Sequence, residues 1–217
     1  MALSYSGWTT HKQCPQKYKF SYVLKLPRDF SHPAAQRGTD IHNSIDKYVL
    51  GEADRLHPEI PVNYAQWLHG LRQYEPMPEM KFAVDENWKL TDWEDKAAKW
   101  RGLMDLKLTP QPQDSEVRVY EWKTGKIYDD HAYQSELYGT IALGLHPEKS
   151  SAIVSNVYFD QGKKHDREYR QVDLDGLRML WDRRHKDVTN DDIYPANPGF
   201  YCRWCDFSKA KGGPCQF

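Results

Sequence analysis

The 217-residue chain has no apolar run that approaches the length of a transmembrane helix, so no bilayer span is expected. Its first residues, Met-Ala-Leu-Ser-Tyr-Ser-Gly-Trp, lack the charged start and apolar stretch of a secretory signal, and a cytoplasmic location is expected. It has no excess of either charge. Thirty Lys and Arg stand against 31 Asp and Glu, for a net charge of −1. That balance does not advertise a nucleic-acid binder, although a basic cleft can sit on a neutral protein. There is no repeat, no low-complexity tract and no Gly-rich loop ending in Gly-Lys-Ser/Thr, so any motor must be a partner. Cysteine is scarce, at four residues, and a reducing compartment argues against a disulfide scaffold. What is present is an ordinary globular composition, 28% charged and 39% apolar, long enough for one domain with a real core.

The chain reads as helices, then strands, then both. Ser6 to Phe20 is a short helix interrupted at Cys14-Pro15. Pro33 to Leu50 is a helix with Pro at its start and Gly51 at its end, its apolar stripe Ile41, Ile45, Tyr48 and Val49. Asn63 to Tyr74 is a third. Lys81 to Leu90, Gly102 to Thr109 and Glu116 to Thr124 are strands, the last two joined through Pro110, Pro112 and Asp114. His131 to Leu145 is a helix, Ser151 to Asp160 and Arg167 to Val172 are strands around a Gln161-Gly162-Lys163-Lys164 turn, and Asp173 N-caps a helix to Lys186. A Pro/Gly-rich tail follows. The expected fold class is α/β: a central mixed sheet flanked by helices. The expected organisation is one domain over 1–217, with a helical part over 1–80, an α/β core over 81–190 and a cysteine-bearing tail over 191–217.

Alternation places Val117, Val119, Glu121 and Lys123 on one strand face and Arg118, Tyr120 and Trp122 on the other. If the neighbouring strand pairs here, Asp105 stands near Glu121. Two close carboxylates repel unless a cation separates them or one is protonated. A hard divalent ion such as Mg²⁺ or Mn²⁺ favours such oxygens, and a nearby lysine can hold a water and stabilise charge growing on a phosphate. For an arbitrary Glu-x-Lys the plain reading is a surface ion pair; the apolar strand and the preceding Gly-Leu-Met-Asp105 weaken it. Glu86, on the strand before, is an accessory-acid candidate.

Gly102-Leu-Met-Asp105, Glu121-Trp-Lys123-Thr-Gly-Lys126, Gln134-Ser-Glu-Leu-Tyr138 and the upstream Gly38-Thr-Asp-Ile-His42 together resemble the PD-(D/E)XK nuclease superfamily, in its RecB/AddB-like exonuclease branch. The resemblance runs from about Ser4 to Phe217 and implies a restriction-endonuclease-like core. It implies that Asp105, Glu121, His42 and the backbone carbonyl of Trp122 hold the metal, that Lys123 positions the attacking water, and that Gln134 and Tyr138 support the site and contact DNA. The implied reaction is hydrolysis of DNA with Mg²⁺ or Mn²⁺, exonucleolytic more than endonucleolytic, in end processing, recombination, replication or breakdown of host DNA. The implied partners are DNA and a helicase, recombinase or single-strand-binding protein. Gly38 and His42, four apart, share a helical face, which leaves room beside the imidazole; Gln134 and Tyr138 share one likewise.

Cys202-Arg-Trp-Cys205, Cys215 and the distant Cys14 form a four-thiol set that suits zinc or a cubane cluster. The resemblance to iron–sulfur nucleases, among them CRISPR-adaptation and some phage exonucleases, implies a [4Fe–4S] cluster tying Cys14 to the tail, with Zn²⁺ as the alternative. Tyr201, Trp204 and Phe207 are candidates to shield it. Two competing readings are a non-catalytic DNA-binding or assembly module with the same fold and a structural zinc protein. Intact acids and lysine count against the first. The second leaves His42, Asp105, Glu121 and Lys123 unexplained. Basic runs at Lys17, Lys19, Lys25 and Arg28, at Lys163, Lys164 and Arg167, and at Arg183, Arg184 and Lys186 read as solvated faces when taken alone.

Overall fold

A computed structural model describes residues 2–27 and 33–217; Arg28 of the first basic run lies outside them. Among the described residues six α-helices and five strands follow in order: α1 (Tyr5–Gln13), α2 (Pro15–Tyr18), α3 (Pro33–Val49), α4 (Asn63–Leu71), β1 (Pro76–Val84), β2 (Trp100–Leu108), β3 (Glu116–Lys123), α5 (His131–Leu145), β4 (Ser151–Tyr158), β5 (Lys163–Arg170) and α6 (Leu174–Thr189). The strands form one mixed sheet, ordered β1-β2-β3-β4-β5. Only β3 and β4 are parallel, and α5 is the crossover between them. Among the described residues no helix is long and apolar enough to cross a membrane.

Local chemistry explains the helix ends. Ser4 caps α1, its hydroxyl accepting from the Gly7 amide at 3.1 Å. The α1–α2 break falls at Cys14, where Pro15 begins the next turn. α3 stops where Gly51 takes φ +77°, its amide returning to the Tyr48 carbonyl. Asp173 stands at the α6 N-cap as expected, but its carboxylate accepts from Arg170 at 3.0 Å instead of capping the helix.

Both sheet faces are covered. α1, α5 and α6 enclose one core, which includes Trp8, Trp100, Met104, Val117, Val119, Leu137 and Trp181. α3 and α4 enclose the other, with Ile41, Ile45, Leu68, Leu106, Tyr120, Trp122 and Val157. β3 alternates between them as expected. β2 does not: Met104 and Leu106 are two residues apart, yet they enter opposite cores. The irregularity falls on Asp105 and on Glu79 of β1, which has φ +46° and interrupts the β1–β2 register. The β2–β3 ladder pairs Leu106 with Tyr120 and Lys107 with Val119. Asp105 and Glu121 lie just past the Leu106–Tyr120 pair.

Two strands differ from expectation. β1 begins at Pro76 and ends at Val84, so Glu86 lies in an exposed turn after the strand and is no accessory acid on it. β5 begins at Lys163, so Lys163 and Lys164 belong to the strand and the turn is Phe159–Gln161 with Gly162. The tail packs on α1 and α2. Asn197 Nδ2 donates to the Gln13 carbonyl at 2.9 Å, Tyr194 stacks on Tyr18, and Phe207 meets Phe20 edge-on.

Candidate active site

The point where β2 and β3 part lets side chains from both sheet faces converge. Asp105 bridges them. Its Oδ2 accepts from the Trp122 amide at 2.7 Å, and its own amide donates to Glu121 Oε1 at 3.3 Å. Its Oδ1 lies 3.4 Å from His42 Nδ1, supplied by α3 on the opposite face from α5. His42 Nε2 in turn donates to the Trp122 carbonyl at 3.1 Å. Side-chain bonds thus take up main-chain groups that a continuous ladder would have paired.

From the other face α5 supplies Gln134 and Tyr138, one turn apart. Gln134 Nε2 donates to Glu121 Oε2 at 2.7 Å, and Gln134 Oε1 accepts from Lys123 Nζ at 2.8 Å. Lys123 Nζ also lies 3.1 Å from Glu121 Oε2. The Tyr138 hydroxyl donates to the Leu103 carbonyl at 2.8 Å and accepts from Gln134 at 3.3 Å. Asn156 and Ser135, both buried, bond at 2.6 Å and fix α5 on β4. All six side chains anticipated for the site, with the Trp122 carbonyl, therefore meet. The Glu121–Lys123 pair is no surface bridge: the Glu121 side chain is 1% exposed and that of Lys123 is 16%.

Burial pushes the Glu121 carboxyl well above the usual range, Asp105 adds to the shift, and Lys123 opposes it. Burial acts to lower the His42 pKa, but the hydrogen bond and charge of Asp105 outweigh it and the net shift is upward. Both imidazole nitrogens face acceptors, which favours the doubly protonated ring. Among the described residues no three His, Cys, Asp or Glu side chains are spaced to hold a metal as they stand. At this centre the candidate ligands are bonded to one another, His42 to Asp105 and to the Trp122 carbonyl and Glu121 to the Asp105 amide. His42, Asp105, Glu121 and the Trp122 carbonyl are nonetheless donors of the kind that suit a hard or borderline divalent ion.

Four further groups were missed in the sequence. Asp46 lies one turn beyond His42 on α3. Burial, then Glu79 and Asp105, push its pKa up to about 7, and its buried Oδ1 has no hydrogen-bond partner among the described residues. Helical spacing from His42 was the available signal. His131 opens α5, with Nδ1 2.9 Å from the Tyr158 hydroxyl; burial and then Lys123 lower its pKa to about 4. Glu79, where the β1–β2 register is interrupted opposite Asp105, is near enough to Asp46 to help raise its pKa. Thr124 is the nearest neighbour of the space at Gly38: a Cβ there would lie 3.3 Å from Thr124 Oγ1, and the imidazole is farther away. Gly38 thus makes room for the residue after Lys123, a correction to the expectation that it makes room beside His42.

All four cysteines line one cavity of about 440 Å³ between α1–α2 and the tail, and none is in a disulfide. The Asn197 and Gly199 amides point at the sulfurs of Cys14 and Cys202 at 3.5 and 3.3 Å. Burial raises the Cys205 thiol pKa, and Cys14 and Cys215 are close enough to raise it further. Phe207 and Tyr201 line this cavity; Trp204 does not, standing 55% exposed against Phe200.

A consequence follows for the metal-free protein. Unfolded, Glu121 and Asp46 ionise near pH 4 to about 4.5. Folded, both keep their protons to higher pH. Between those limits the folded state binds more protons, so their contribution to stability falls as pH rises. A divalent ion competes with those protons. The rise in melting temperature on adding Mn²⁺ is expected to be larger at about pH 8 than at about pH 6. Equal shifts in a thermal-melt series at the two pH values would remove Glu121 from the ligand set.

A family model described as the PD-(D/E)XK nuclease superfamily matches residues 2–210. No curated protein matches in sequence. Among solved structures, SSO0001 is similar with a TM-score of 0.55 and 16% identity, over 99% of this chain and 86% of that one. A candidate exonuclease from Eubacterium rectale is similar with a TM-score of 0.51 and 14% identity, over 100% of this chain and 89% of that one. At such identities the likeness concerns the fold.

Proposed function

Because the chain belongs to the PD-(D/E)XK nuclease superfamily, we propose that it is one nuclease domain acting as a metal-dependent DNA exonuclease, with Asp105, Glu121 and Lys123 as its catalytic core. The observation that carries this reading is the convergence of His42, Asp105, Glu121, the Trp122 carbonyl and Lys123 at the parting of β2 and β3. The Eubacterium rectale neighbour, described as a candidate exonuclease, favours the exonucleolytic form.

His42, Asp105, Glu121 and the Trp122 carbonyl would hold Mg²⁺ or Mn²⁺. When bound, the ion polarises a phosphoryl oxygen and lowers the pKa of a water. The protein's own groups do the positioning. Gln134 accepts from Lys123 and donates to Glu121, which fixes both relative to the strand. An ammonium has three donors, and two are committed to Glu121 and Gln134. The third is available to the attacking water or a phosphate oxygen, where a fixed positive charge stabilises the developing negative charge. Tyr138 anchors Gln134 to the β2 backbone.

The tail cysteines would hold a [4Fe–4S] cluster that joins Cys14 to Cys202, Cys205 and Cys215. In support, four thiols line a single cavity and backbone amides are directed at two of the sulfurs. Iron and acid-labile sulfide in protein purified without oxygen would bear this out, and zinc in their place would replace it.

The nuclease reading is tested on end-labelled single-stranded, duplex and circular DNA with Mg²⁺, Mn²⁺ or EDTA. Metal-dependent shortening from ends is expected, and it should be absent from an Asp105→Asn preparation made identically. DNA binding without cleavage under either metal would make the chain a non-catalytic module. Cleavage confined to circles would make it an endonuclease.

A further inference from the structure

A groove of about 570 Å³ runs along the start of α1 and across β2, outside the catalytic cluster but sharing a wall with it. That wall is Leu103 and Tyr138, the carbonyl and hydroxyl bonded at 2.8 Å beside Gln134. Tyr5 also lines the groove; burial and then Asp130 raise its pKa, and Glu121 is near enough to add to the shift. The groove therefore leads to the candidate active site from the side away from His42.

Its chemistry is unusual for this chain. Acids and bases are nearly equal overall, 31 to 30, yet no Asp or Glu is among the described residues lining the groove, while Lys25 and Arg101 are. Aromatic rings make up much of the rest, Tyr5, Tyr22 and Trp93 among them. Trp93 is partly exposed, with Lys81 Nζ 5.8 Å and the Arg101 guanidinium 5.9 Å from its ring centre. Arg101 spends one N–H on the Asp95 backbone carbonyl at 3.0 Å, and its Nε is buried without a partner among the described residues. The Asp95 carboxylate does not line the groove; Thr91 and the Ala97 amide bond it and hold its pKa down, and the nearby Arg101 charge adds to that. Lys25 sits at φ +51°, an uncommon backbone for a non-glycine residue, just beyond Leu24, which caps a π-helical turn over Lys19–Val23. π-Turns recur where chains are shaped for function.

Rings and cations without acids suit a ligand with both flat faces and negative charge. A single nucleic-acid strand has both, because its bases are free to stack on side chains and its phosphates need cations. A duplex keeps its bases stacked on one another and offers no free faces. We propose that this groove binds single-stranded DNA, with a base against Trp93 and phosphates at Lys25 and Arg101. On the nuclease reading, on which its purpose rests, the groove carries the strand to or from the Asp105–Glu121 centre and sets a preference for single-stranded substrate. By contrast, two of the other basic-run residues are engaged elsewhere: Lys164 pairs with Asp166, and Arg184 pairs with Glu136 across the Trp181 ring.

The test is anisotropy of a fluorescein-labelled oligo(dT) in EDTA, where no cleavage occurs. Trp93→Ala is expected to weaken binding roughly tenfold or more, and Trp93→Phe to restore most of it. Lys25→Asn, chosen because Asn tolerates left-handed backbone, is expected to weaken binding and reduce the salt slope by about one. Unlabelled duplex of equal length should compete poorly. The proposal is overturned if wild type does not bind oligo(dT), if folded Trp93→Ala and Lys25→Asn proteins both bind it as wild type does, or if duplex competes equally. Groove-dependent binding by a protein that cleaves nothing with Mg²⁺ or Mn²⁺ would sink the nuclease reading and leave the groove standing. Cleavage with binding indifferent to both substitutions would do the reverse.

Discussion

Glu121→Gln is expected to reduce DNA cleavage by roughly 10³-fold or more and, at about pH 8, to raise the melting temperature of the metal-free protein. The two effects have one origin. Glu121 is 1% exposed and faces Asp105, so burial and a neighbouring like charge both resist its ionisation. A divalent ion rewards that ionisation; without one, it only costs stability. Glutamine keeps the shape and removes the charge. Its oxygen can still accept from Gln134 and Lys123, which now bond Glu121 Oε2 at 2.7 and 3.1 Å. Its amide nitrogen meets the Asp105 N–H, which loses an acceptor worth about 1 kcal/mol. At about pH 6 the wild-type carboxyl is already largely protonated in the fold, so the stabilisation should shrink there. Paired melting curves in EDTA at the two pH values, with cleavage rates in Mn²⁺, measure both signs. Retained cleavage would remove Glu121 from the chemistry. A lower melting temperature at both pH values would mean that its ionisation does not strain the fold.

The candidate site was legible to the extent that each motif fits within one element. Val117, Val119, Glu121 and Lys123 share a face because β3 is regular, and Gln134 and Tyr138 share one because α5 is. The stripe Ile41, Ile45, Tyr48 and Val49 marked α3 and thereby placed His42. What escaped depends on contacts between elements. The switch of β2 from one core to the other at Asp105 follows from how β1, β2 and β3 part, and no local period encodes it. His131 gains its environment only when α5 docks on Tyr158, and Glu79 only through a strand register. β1 was misplaced because Pro76 and Pro78 argue against a strand. They are tolerated because β1 is at the sheet edge, where a missing N–H leaves no partner stranded. β5, Lys-Lys-His-Asp-Arg-Glu-Tyr-Arg, is the other edge and so nearly devoid of apolar residues that composition hid most of its alternation. The groove beside Tyr138 was invisible for a related reason: Tyr5, Lys25, Trp93 and Arg101 come from three separate stretches of chain.

The tail offers a second large effect, one that does not presuppose what its cysteines hold. Gly213→Ala is expected to destabilise the protein by about 2–3 kcal/mol, the upper end for overpacking, and to lower the melting temperature by several degrees. A Cβ at Gly213 would lie 2.3–2.5 Å from the carbonyl carbon, carbonyl oxygen and Cα of Phe207. These are backbone atoms, so no side chain can swing aside. Phe207 cannot retreat cheaply either, because its side chain is buried against Phe20. The loop must open instead, and that strains two bonds holding it closed, Gly213 N to the Ser208 carbonyl and Cys215 N to the Phe207 carbonyl, each 2.9 Å. Cys215 then moves relative to Cys205 and Cys14. If the four thiols bind a cluster, its occupancy should fall together with stability, read as iron and sulfide per chain in anaerobic preparations. Gly199→Ala is the control. Gly199 is in the same tail, has extended backbone that any residue adopts, and has nothing within 4 Å of an added Cβ. It should change stability by no more than about 0.5 kcal/mol. Equal behaviour of the two variants in melting and limited proteolysis would show that the Phe207–Gly213 contact does not hold the tail. A loss confined to Gly213→Ala would make the closure of this loop, and with it the placing of Cys215, a condition for the union of α1 and α2 with the end of the chain.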